Sequence, residues 1–345
     1  MRTVLHILNT STYSGAENVA ITIIRAMSAR YTDCRLIYVS PDGPIRERLN
    51  KEGVEFEPIT SVSVKEIRRV VRKYRPDMIH AHDFTASIVS AAATLRTPVI
   101  SHIHNNVLWL KRLCPRSIVY GLSCIRYRKI LGVSPSVFDE FVFGGLIKKK
   151  SRVIGNPIDL SVTRGAAERA KNKDGYDVVF LGRLSEAKAP LEFVEVIGEL
   201  SQKMKVSAAM IGDGELRDAV SEKISALGLS DTVKLLGFMD NPHGVLGASR
   251  ALCMTSKWEG YGLVAAEALA LGKPVVATRV GGIPTILGEI GYLCDSKDEM
   301  INSLMALLGD AELYREASHG ALERAAELDN VGEYIDGLNR IYTEE

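Results

Sequence analysis

Short apolar runs alternate with amphipathic segments along the first half of the chain. Strand-like runs occur at residues 3–8, 34–39, 77–81, 98–102 and 130–133, and helical periodicity at 18–30, 63–74 and 87–95. Strands that alternate with helices in this way form a parallel sheet covered by helices on both faces. We therefore expect residues 1–155 to form a doubly wound, Rossmann-like α/β domain, although the loop at 9–17 is no GxGxxG fingerprint.

The same alternation returns in the second half. Strands are predicted at 177–181, 206–211, 233–236, 251–255 and 274–278, with one helix at 191–201 and another that begins near Tyr261. Residues 153–160 are predicted to be a strand that ends in a turn. Residues 161–175 are small or charged and poor in large apolar side chains, which is typical of a linker. The sequence thus predicts a second Rossmann-like domain at 156–330, followed by a terminal segment at 331–345 that is mainly helix.

Composition narrows the class of protein. The chain has 345 residues, of which 46% are hydrophobic and 25% charged, as expected for a globular protein of two domains. No run approaches ~18 apolar residues, and the first apolar run is too short for a signal peptide, so we expect a cytoplasmic protein. The five cysteines are scattered and lack CxxC spacing, which indicates neither a disulfide framework nor a zinc site.

The near-zero net charge hides two oppositely charged halves. Residues 1–155 hold 24 Lys/Arg and 12 Asp/Glu, or +12, whereas the remainder holds 19 and 30, or −11. Basic side chains lie among apolar and aromatic ones at 109–116, 125–129 and 146–152. An anionic membrane surface or a lipid-linked pyrophosphate fits this pattern best, because no nucleic-acid-binding signature accompanies it. A solvated basic face without a partner is the alternative.

Four histidines fall at the predicted ends of two strands: His80 and His82 on one, His102 and His104 on the next. Ligands bind at the carboxyl ends of strands in open α/β sheets, so these side chains are well placed. A neutral imidazole that bonds a ligand hydroxyl is one interpretation, and a structurally satisfied histidine is the other. A metal site is not expected, because the spacing of these residues does not support one.

Charged and small residues follow the strands of the second half. Arg183 and Lys188, in a loop that begins with Gly182, are suited to converge on a diphosphate. Glu259 stands before a predicted helix N-terminus and Glu267 about two turns inside it, so the pair would grip two ends of an elongated ligand. A capping residue and a solvated glutamate are the alternative. The GDG at 212–214 is a weak dinucleotide signal, since a third glycine is missing.

Each of these motifs is common, but their order is specific. The chain carries GRLSEAK (182–188), IGDGELR (211–217), EGYGLVAAE (259–267), GKPVVAT (272–278) and GGIP (281–284), together with SGAE (14–17) and IHAH (79–82). In this order they resemble the retaining nucleotide-sugar glycosyltransferases of the GT-B fold, glycosyltransferase family 4. The resemblance covers nearly the whole chain and implies two Rossmann-like domains that face each other across a cleft. It also implies that the helix at about 331–342 crosses back to the first domain.

The resemblance implies roles for individual residues. Arg183 and Lys188 would bind the diphosphate, Glu259 would face the sugar hydroxyls, and Glu267 would accept hydrogen bonds from the ribose. Catalytic roles would thus fall to Arg183, Lys188, Glu259 and His104, and donor binding to Gly15, His102, Gly182, Gly212, Gly214, Gly260, Tyr261, Gly262, Leu263 and Glu267. No metal and no cofactor are expected, because the two cations would supply the countercharge.

The expected activity is retaining transfer of a sugar from a nucleoside-diphosphate sugar, UDP-linked above all. The acceptor would be a glycan or lipid-linked molecule in surface polysaccharide synthesis, at the inner face of the plasma membrane. A GT-B sugar-nucleotide epimerase and a non-catalytic nucleotide-sugar-binding protein are the alternatives. A nicotinamide oxidoreductase is disfavoured because neither half has a complete glycine fingerprint. Two departures from the family pattern are Ser14, where a glycine is common, and Thr285, where a glutamate is usual.

Overall fold

Two parallel β-sheets organise the chain in its computed structural model, which describes residues 1–12, 15–105, 107–172 and 174–344. The sheets belong to two compact units. The first is formed by Met1–Pro157 together with Asn330–Glu345, and the second by Ile158–Asp329. The predicted fold class, α/β with doubly wound sheets, is confirmed.

The first unit is built on a seven-stranded sheet with the order β3-β2-β1-β4-β5-β6-β7. The strands are β1 (Arg2–Ile7), β2 (Cys34–Pro41), β3 (Phe56–Ile59), β4 (Met78–Ala81), β5 (Val99–Ile103), β6 (Tyr127–Gly132) and β7 (Ser151–Val153). The helices are α1 (Gly15–Arg30), α2 (Ile45–Lys51), α3 (Val64–Tyr74), α4 (Phe84–Ala93), α5 (Pro115–Ser123), α6 (Ser136–Asp139), α7 (Gly144–Ile147) and, from the end of the chain, α16 (Val331–Thr343). Short 3-10 helices lie at Leu108–Lys111 and Cys124–Arg126.

The second unit has a six-stranded sheet with the order β10-β9-β8-β11-β12-β13. Its strands are β8 (Val178–Leu181), β9 (Ala208–Ile211), β10 (Val233–Gly237), β11 (Ala251–Met254), β12 (Val275–Thr278) and β13 (Tyr292–Cys294). Its helices are α8 (Leu160–Arg169), α9 (Pro190–Lys203), α10 (Arg217–Ala226), α11 (His243–Ala248), α12 (Leu263–Ala270), α13 (Ile283–Leu287), α14 (Lys297–Gly309) and α15 (Ala311–Leu328).

Both sheets reverse their strand order at one point. β1 pairs in parallel with β2 on one side and β4 on the other, and β8 pairs in the same way with β9 and β11. Connections leave the sheet in opposite directions at such a point, which opens a crevice beyond the carboxyl ends of the two central strands. The loops after β1 and β4, and those after β8 and β11, are therefore where each unit is suited to bind a ligand.

Local sequence explains several helix starts. The Ser63 hydroxyl caps α3 by accepting from the Glu66 amide, and the Asp83 carboxylate caps α4 by accepting from the Ala86 amide. Asp310 caps α15 in the same way. The sheets themselves are buried on both faces: side chains such as Leu5 of β1 have no solvent exposure. Among the described residues, no helix is both long and apolar enough to cross a membrane.

Three sequence-based predictions need correction. Residues 161–175, expected to be a linker, begin with helix α8, which is capped by Asp159 and buries Leu160 and Thr163. The predicted helix near Tyr261 starts two residues later, at Leu263, so Glu267 lies about one turn inside it rather than two. The strand expected at 153–160 is β7, which ends at Val153.

Candidate functional site

Three loops meet at the carboxyl ends of the central strands of the second unit. They follow β8, β11 and β12, and side-chain hydrogen bonds join them. The Thr255 hydroxyl donates to the backbone carbonyls of Lys188 (3.2 Å) and Ala189 (3.0 Å), and the Thr278 hydroxyl donates to the carbonyl of Ser256 (2.6 Å). Because each loop is fixed to its neighbour, the side chains they carry are held in a defined relation.

An ion pair stands at the centre of this surface. The Lys188 ammonium donates a hydrogen bond to the Glu259 carboxylate, and the two side chains are 23% and 12% exposed. Pairs as shielded as this one are less weakened by solvent than surface pairs. The structure therefore brings together two of the four residues for which the sequence predicts a catalytic role.

Close backbone contacts between the loops require glycine. Gly281 has φ of +55°, and a Cβ built on it would lie 1.7 Å from the carbonyl oxygen of Glu259. Gly212 has φ of +137°, and its Cβ would lie 1.9 Å from the carbonyl oxygen of Gly182. The Cβ of Gly214 would lie 2.5 Å from the carbonyl oxygen of Leu184. Gly212 and Gly214, predicted to bind a donor, thus have a packing role in the loops after β8 and β9.

Helix α12 begins beside the ion pair. Gly262, at φ of +96°, is its N-cap and supplies no side-chain cap, while Gly260 and Tyr261 are buried just before it. The first amides of a helix point along its axis without intrahelical partners and favour anions. The Leu263 end of α12 and the Lys188 ammonium therefore offer positive charge at one end of the same loop system.

Glu267 has a partner that the sequence analysis missed. Its carboxylate lies 3.4 Å from Nε2 of His243, at the first position of α11, and Nδ1 of His243 lies 3.2 Å from the Asn241 side-chain oxygen. The two side chains of the pair are only 18% and 23% exposed. The motif around His243 gives no local signal for this contact, which depends on how α11 packs near α12.

Arg183 lies outside this pair. Its side chain is 77% exposed, and its Nε lies 3.8 Å from the carboxylate of Glu215, which is 59% exposed. Exposed pairs of this kind contribute little to stability, and they leave the guanidinium mobile. The predicted convergence of Arg183 and Lys188 on one ligand remains a prediction.

The candidate residues of the first unit lie at the ends of β1, β4 and β5. Gly15 is the exposed first residue of α1, and a Cβ there would meet no atom within 4 Å. The neighbouring Ser14 lies outside the described residues. Thr285, the other departure from the family pattern, is in α13, where its carbonyl accepts from Arg324 (2.6 Å).

The strand-end histidines of the first unit are buried. His102 has no exposure and His104 has 8%, and burial lowers the pKa of His104 to about 3, so its ring is neutral. They belong to a larger group with His6, His80 and His82, in which two sets of three rings place ligand nitrogens within 4.8 Å of one another: His6, His80, His82 and His82, His102, His104. His6, which sequence reasoning missed, sits beside His80 in the register of β1 and β4.

Two family models together match most of the chain. Residues 13–162 match the model described as Glycosyltransferase Family 4, and residues 163–324 match the model described as Glycosyl transferases group 1. Of the relatives, N-acetyl-alpha-D-glucosaminyl L-malate synthase of Bacillus anthracis is 28% identical over 48% of this chain and 44% of its own length. An N-acetylgalactosaminyltransferase of Campylobacter jejuni that acts on a diphospho-undecaprenol-linked sugar is 27% identical over 70% of this chain and 66% of its own. This chain thus spans less than two thirds of either relative.

Solved structures share the fold over the whole chain. Anabaena HepE, solved in complex with UDP and glucose, superimposes with a TM-score of 0.87 at 22% identity and covers 100% of both chains. S. aureus TarM, solved with UDP and a GlcNAc-glycerol product, gives a TM-score of 0.81 at 12% identity and covers 100% of both chains. At these identities the similarity establishes the shared fold.

Proposed function

This chain belongs to the glycosyltransferases of group 1 and family 4, and we propose that it transfers a sugar, with retained configuration, from a UDP-sugar to a glycan or lipid-linked acceptor in surface polysaccharide synthesis. The observation that carries the proposal is the shielded Lys188–Glu259 pair beside the start of α12. The Campylobacter relative acts on a diphospho-undecaprenol-linked sugar, and HepE was solved with UDP, which support the acceptor class and the nucleotide.

The pair explains how one site can take both a diphosphate and a sugar. A diphosphate competes with Glu259 for the Lys188 ammonium, because both are anions that accept hydrogen bonds from it. Once Lys188 turns to the phosphate, the Glu259 carboxylate is released to accept hydrogen bonds from sugar hydroxyls. Since one carboxylate is exchanged for another anion, Lys188 keeps a counterion throughout and no uncompensated buried charge is formed.

The residues fit a transfer in which charge on the leaving group is stabilised. The bond from the anomeric carbon to the diphosphate breaks, and its electron pair leaves on the phosphate oxygen. The acceptor hydroxyl attacks from the same face and passes its proton to that oxygen. Lys188, the first amides of α12 and the mobile guanidinium of Arg183 would stabilise the developing charge, which is usually the largest catalytic term. We propose that this cationic set makes a metal ion unnecessary.

Ligand-induced stabilisation tests the site. Purified protein is heated with UDP-, GDP- and ADP-sugars, and we expect at least one UDP-sugar to raise the melting temperature. Lys188→Ala should abolish that rise. Lys223→Ala is the matched control, because Lys223 also pairs with a glutamate, Glu195, in the same unit but on helices α10 and α9. No shift with any sugar nucleotide, or equal loss in both variants, would count against the proposal.

Product analysis tests the reaction. With the stabilising donor and candidate acceptors, mass spectrometry should detect the acceptor enlarged by one sugar. Nuclear magnetic resonance of the product should show that the anomeric configuration of the donor is retained. A donor isomerised without any acceptor would instead indicate an epimerase, and binding without turnover would indicate a non-catalytic protein. An inverted linkage would contradict the retaining mechanism.

We also propose contact with an anionic membrane, at the cytoplasmic side, through one face of the first unit. Exposed apolar side chains line α5 and the 3-10 helix after it: Ile118, Val119, Leu122 and Ile125, the last two 64% and 74% exposed. Exposed Arg112, Arg116, Lys148 and Lys149 flank them. Lys150 joins the two basic segments, since its ammonium donates to the Ile125 carbonyl (2.8 Å). Apolar side chains with basic neighbours are typical of interfacial binding.

Vesicle binding tests the membrane contact. We expect the protein to sediment with phosphatidylglycerol vesicles and to remain in solution with phosphatidylcholine vesicles. Leu122→Ser and the double change Lys148→Glu/Lys149→Glu should each reduce binding, because they remove insertion and attraction separately. Leu227→Ser, at a leucine that is 49% exposed in the second unit, is the control. Equal binding by all variants would refute the assignment.

A further inference from the structure

The buried histidines of the first unit form two lines of hydrogen bonds. In the first line, Nδ1 of His6 lies 2.9 Å from Nε2 of His82, and Nδ1 of His82 lies 3.0 Å from Nε2 of His104. In the second line, the Tyr342 hydroxyl of α16 lies 2.5 Å from Nδ1 of His80, whose Nε2 lies 3.1 Å from Nδ1 of His102. The rings of the two lines stack, with centroids 4.3 Å apart for His80 and His82.

The geometry fits shared protons better than a shared metal ion. A metal ion needs the lone pairs of several rings aimed at one point. The rings of His82 and His104 instead lie within 8° of one plane, so that an N–H on one ring points at the lone pair of the other. Both nitrogens of His82 are already engaged in this way. Coordination by His82 would therefore break the first line.

Neutral rings make the first line directional. Burial lowers the pKa of His6 and His104 to about 3, and that of His82 well below its usual value, so each ring carries one N–H and one lone pair. If His6 donates to His82, then His82 must donate to His104. The opposite order is the alternative. Reversal moves one proton across each hydrogen bond and leaves every ring neutral.

A buried amide selects between the two orders. The Asn156 side-chain oxygen is buried without a well-aligned hydrogen bond, and so is Nδ1 of His104. The two side chains interact, since Asn156 raises the pKa of His104 against the larger, opposite effect of burial. An amide oxygen only accepts, so it favours a proton on Nδ1 of His104. The line then runs from His6 through His82 to His104, and Nδ1–H is its free end.

We propose that His82, supported by His6, is a positioning residue that fixes the tautomer of His104, so that His104 presents an N–H donor to an oxygen of the transferred sugar. This rests on the proposed function, in which His104 contacts that sugar. Of the three rings, His104 is the most exposed, at 8%, against 0% for His6 and 1% for His82. A fixed donor accepts any sugar position that bears an oxygen acceptor, including a carboxylate, and disfavours a deoxy position.

Histidine tautomers can be read without any substrate. In protein with ¹⁵N-labelled histidine rings, long-range ¹H–¹⁵N correlation spectra distinguish protonated from unprotonated ring nitrogens. We expect His104 of the unaltered protein to carry its proton on Nδ1 alone. His82→Phe keeps a planar ring but removes the donor, and should give a mixture of both His104 tautomers. Tyr342→Phe removes a hydroxyl from the second line only, and should leave the His104 tautomer unchanged.

The spectra and the binding data fail independently. A proton on Nε2 of His104 in the unaltered protein would overturn the proposal, and so would an unaltered Nδ1 population in His82→Phe. The first measurement needs no variant, so it stands even where His82→Phe does not fold. In binding assays, His82→Phe should weaken a UDP-sugar about three- to tenfold and leave UDP unaffected, since only the sugar meets His104. Absence of any UDP-sugar binding would refute the proposed function and leave the tautomer result intact.

Discussion

The first unit should lose stability in mild acid because its buried histidines are held neutral. In the unfolded chain a histidine has a pKa near 6.5, whereas burial lowers the pKa of His6 and His104 to about 3 in the folded unit. As the pH falls below 6.5, the unfolded chain binds protons that the folded unit refuses, so the free energy of unfolding falls. The loss continues until the pH approaches 3, where the folded unit also takes up protons.

The expected size of the effect is large compared with the stability of a domain. At pH 5.5, one pH unit below the unfolded pKa, each such histidine costs about 1.4 kcal/mol, so His6 and His104 together cost about 3 kcal/mol. Burial lowers the pKa of His80, His82 and His102 too, which adds to the loss. Domains are typically stable by about 5–15 kcal/mol. Buried Asp83, whose pKa is raised, opposes the loss as a single group.

The two tryptophans allow each unit to be followed separately. Trp109 lies in the first unit, where its ring packs edge-on against Phe84 at 4.8 Å, and Trp258 lies in the second. Trp258→Phe therefore leaves a fluorescent probe of the first unit, and Trp109→Phe leaves a probe of the second. Urea unfolding at pH 7.5 and 5.5 should show a loss of at least about 3 kcal/mol for the Trp109 transition. Equal free energies at the two pH values would refute the reasoning.

Three further predictions concern single residues. Glu259→Gln should strengthen UDP binding about three- to tenfold, because Lys188 loses its competing anion, and should lower kcat about 10²-fold in a transfer assay. Gly281→Ala should destabilise the second unit by more than about 2 kcal/mol in urea, while Gly309→Ala, where a Cβ meets nothing within 4 Å, should not. Cys114 should be the first thiol alkylated by iodoacetamide, since hydrogen bonds to the following helical turn lower its pKa and the other four thiols are buried.

The sequence predicts the central strands of both sheets well and their edges poorly. Central strands such as β1 and β8 are buried on both faces and read as apolar runs. The two strands that sequence reasoning missed, β3 and β13, are both at a sheet edge. β3 reads Phe-Glu-Pro-Ile, and a proline is tolerated there because an edge strand needs fewer hydrogen bonds. β13 has three residues, too few for a periodic pattern.

Helix α8 shows why composition misled the prediction of a linker. Its sequence, LSVTRGAAER, has few large apolar residues. Contacts with other elements compensate: the Arg164 guanidinium donates to the Ala270 carbonyl (3.1 Å), and the Asn241 amide donates to the Ala166 carbonyl (2.8 Å). Such contacts join residues about 75 to 106 positions apart and leave no trace in a local pattern.

The candidate sites divide in the same way. That Lys188 and Glu259 lie near each other follows from strand order, because loops after β8 and β11 must meet where those strands pair. The rule that placed His80 and His102 at strand ends applies equally to His6, which sits in β1 beside β4. Strand order does not predict His243, Asn156 or Tyr342. Their side chains reach the sites from helices and loops whose packing the sequence does not specify.

Two opposite electrostatic solutions occupy equivalent places in the two sheets. At the β8/β11 crossing, opposite charges neutralise each other in a partly exposed pair, which an anionic ligand can open by replacing one partner. At the β1/β4 crossing, burial keeps the imidazoles uncharged, and hydrogen bonds satisfy them in lines. A charged ligand is therefore suited to the second unit. The first unit is suited to uncharged hydroxyl groups, since a diphosphate there would meet rings that burial prevents from becoming cations.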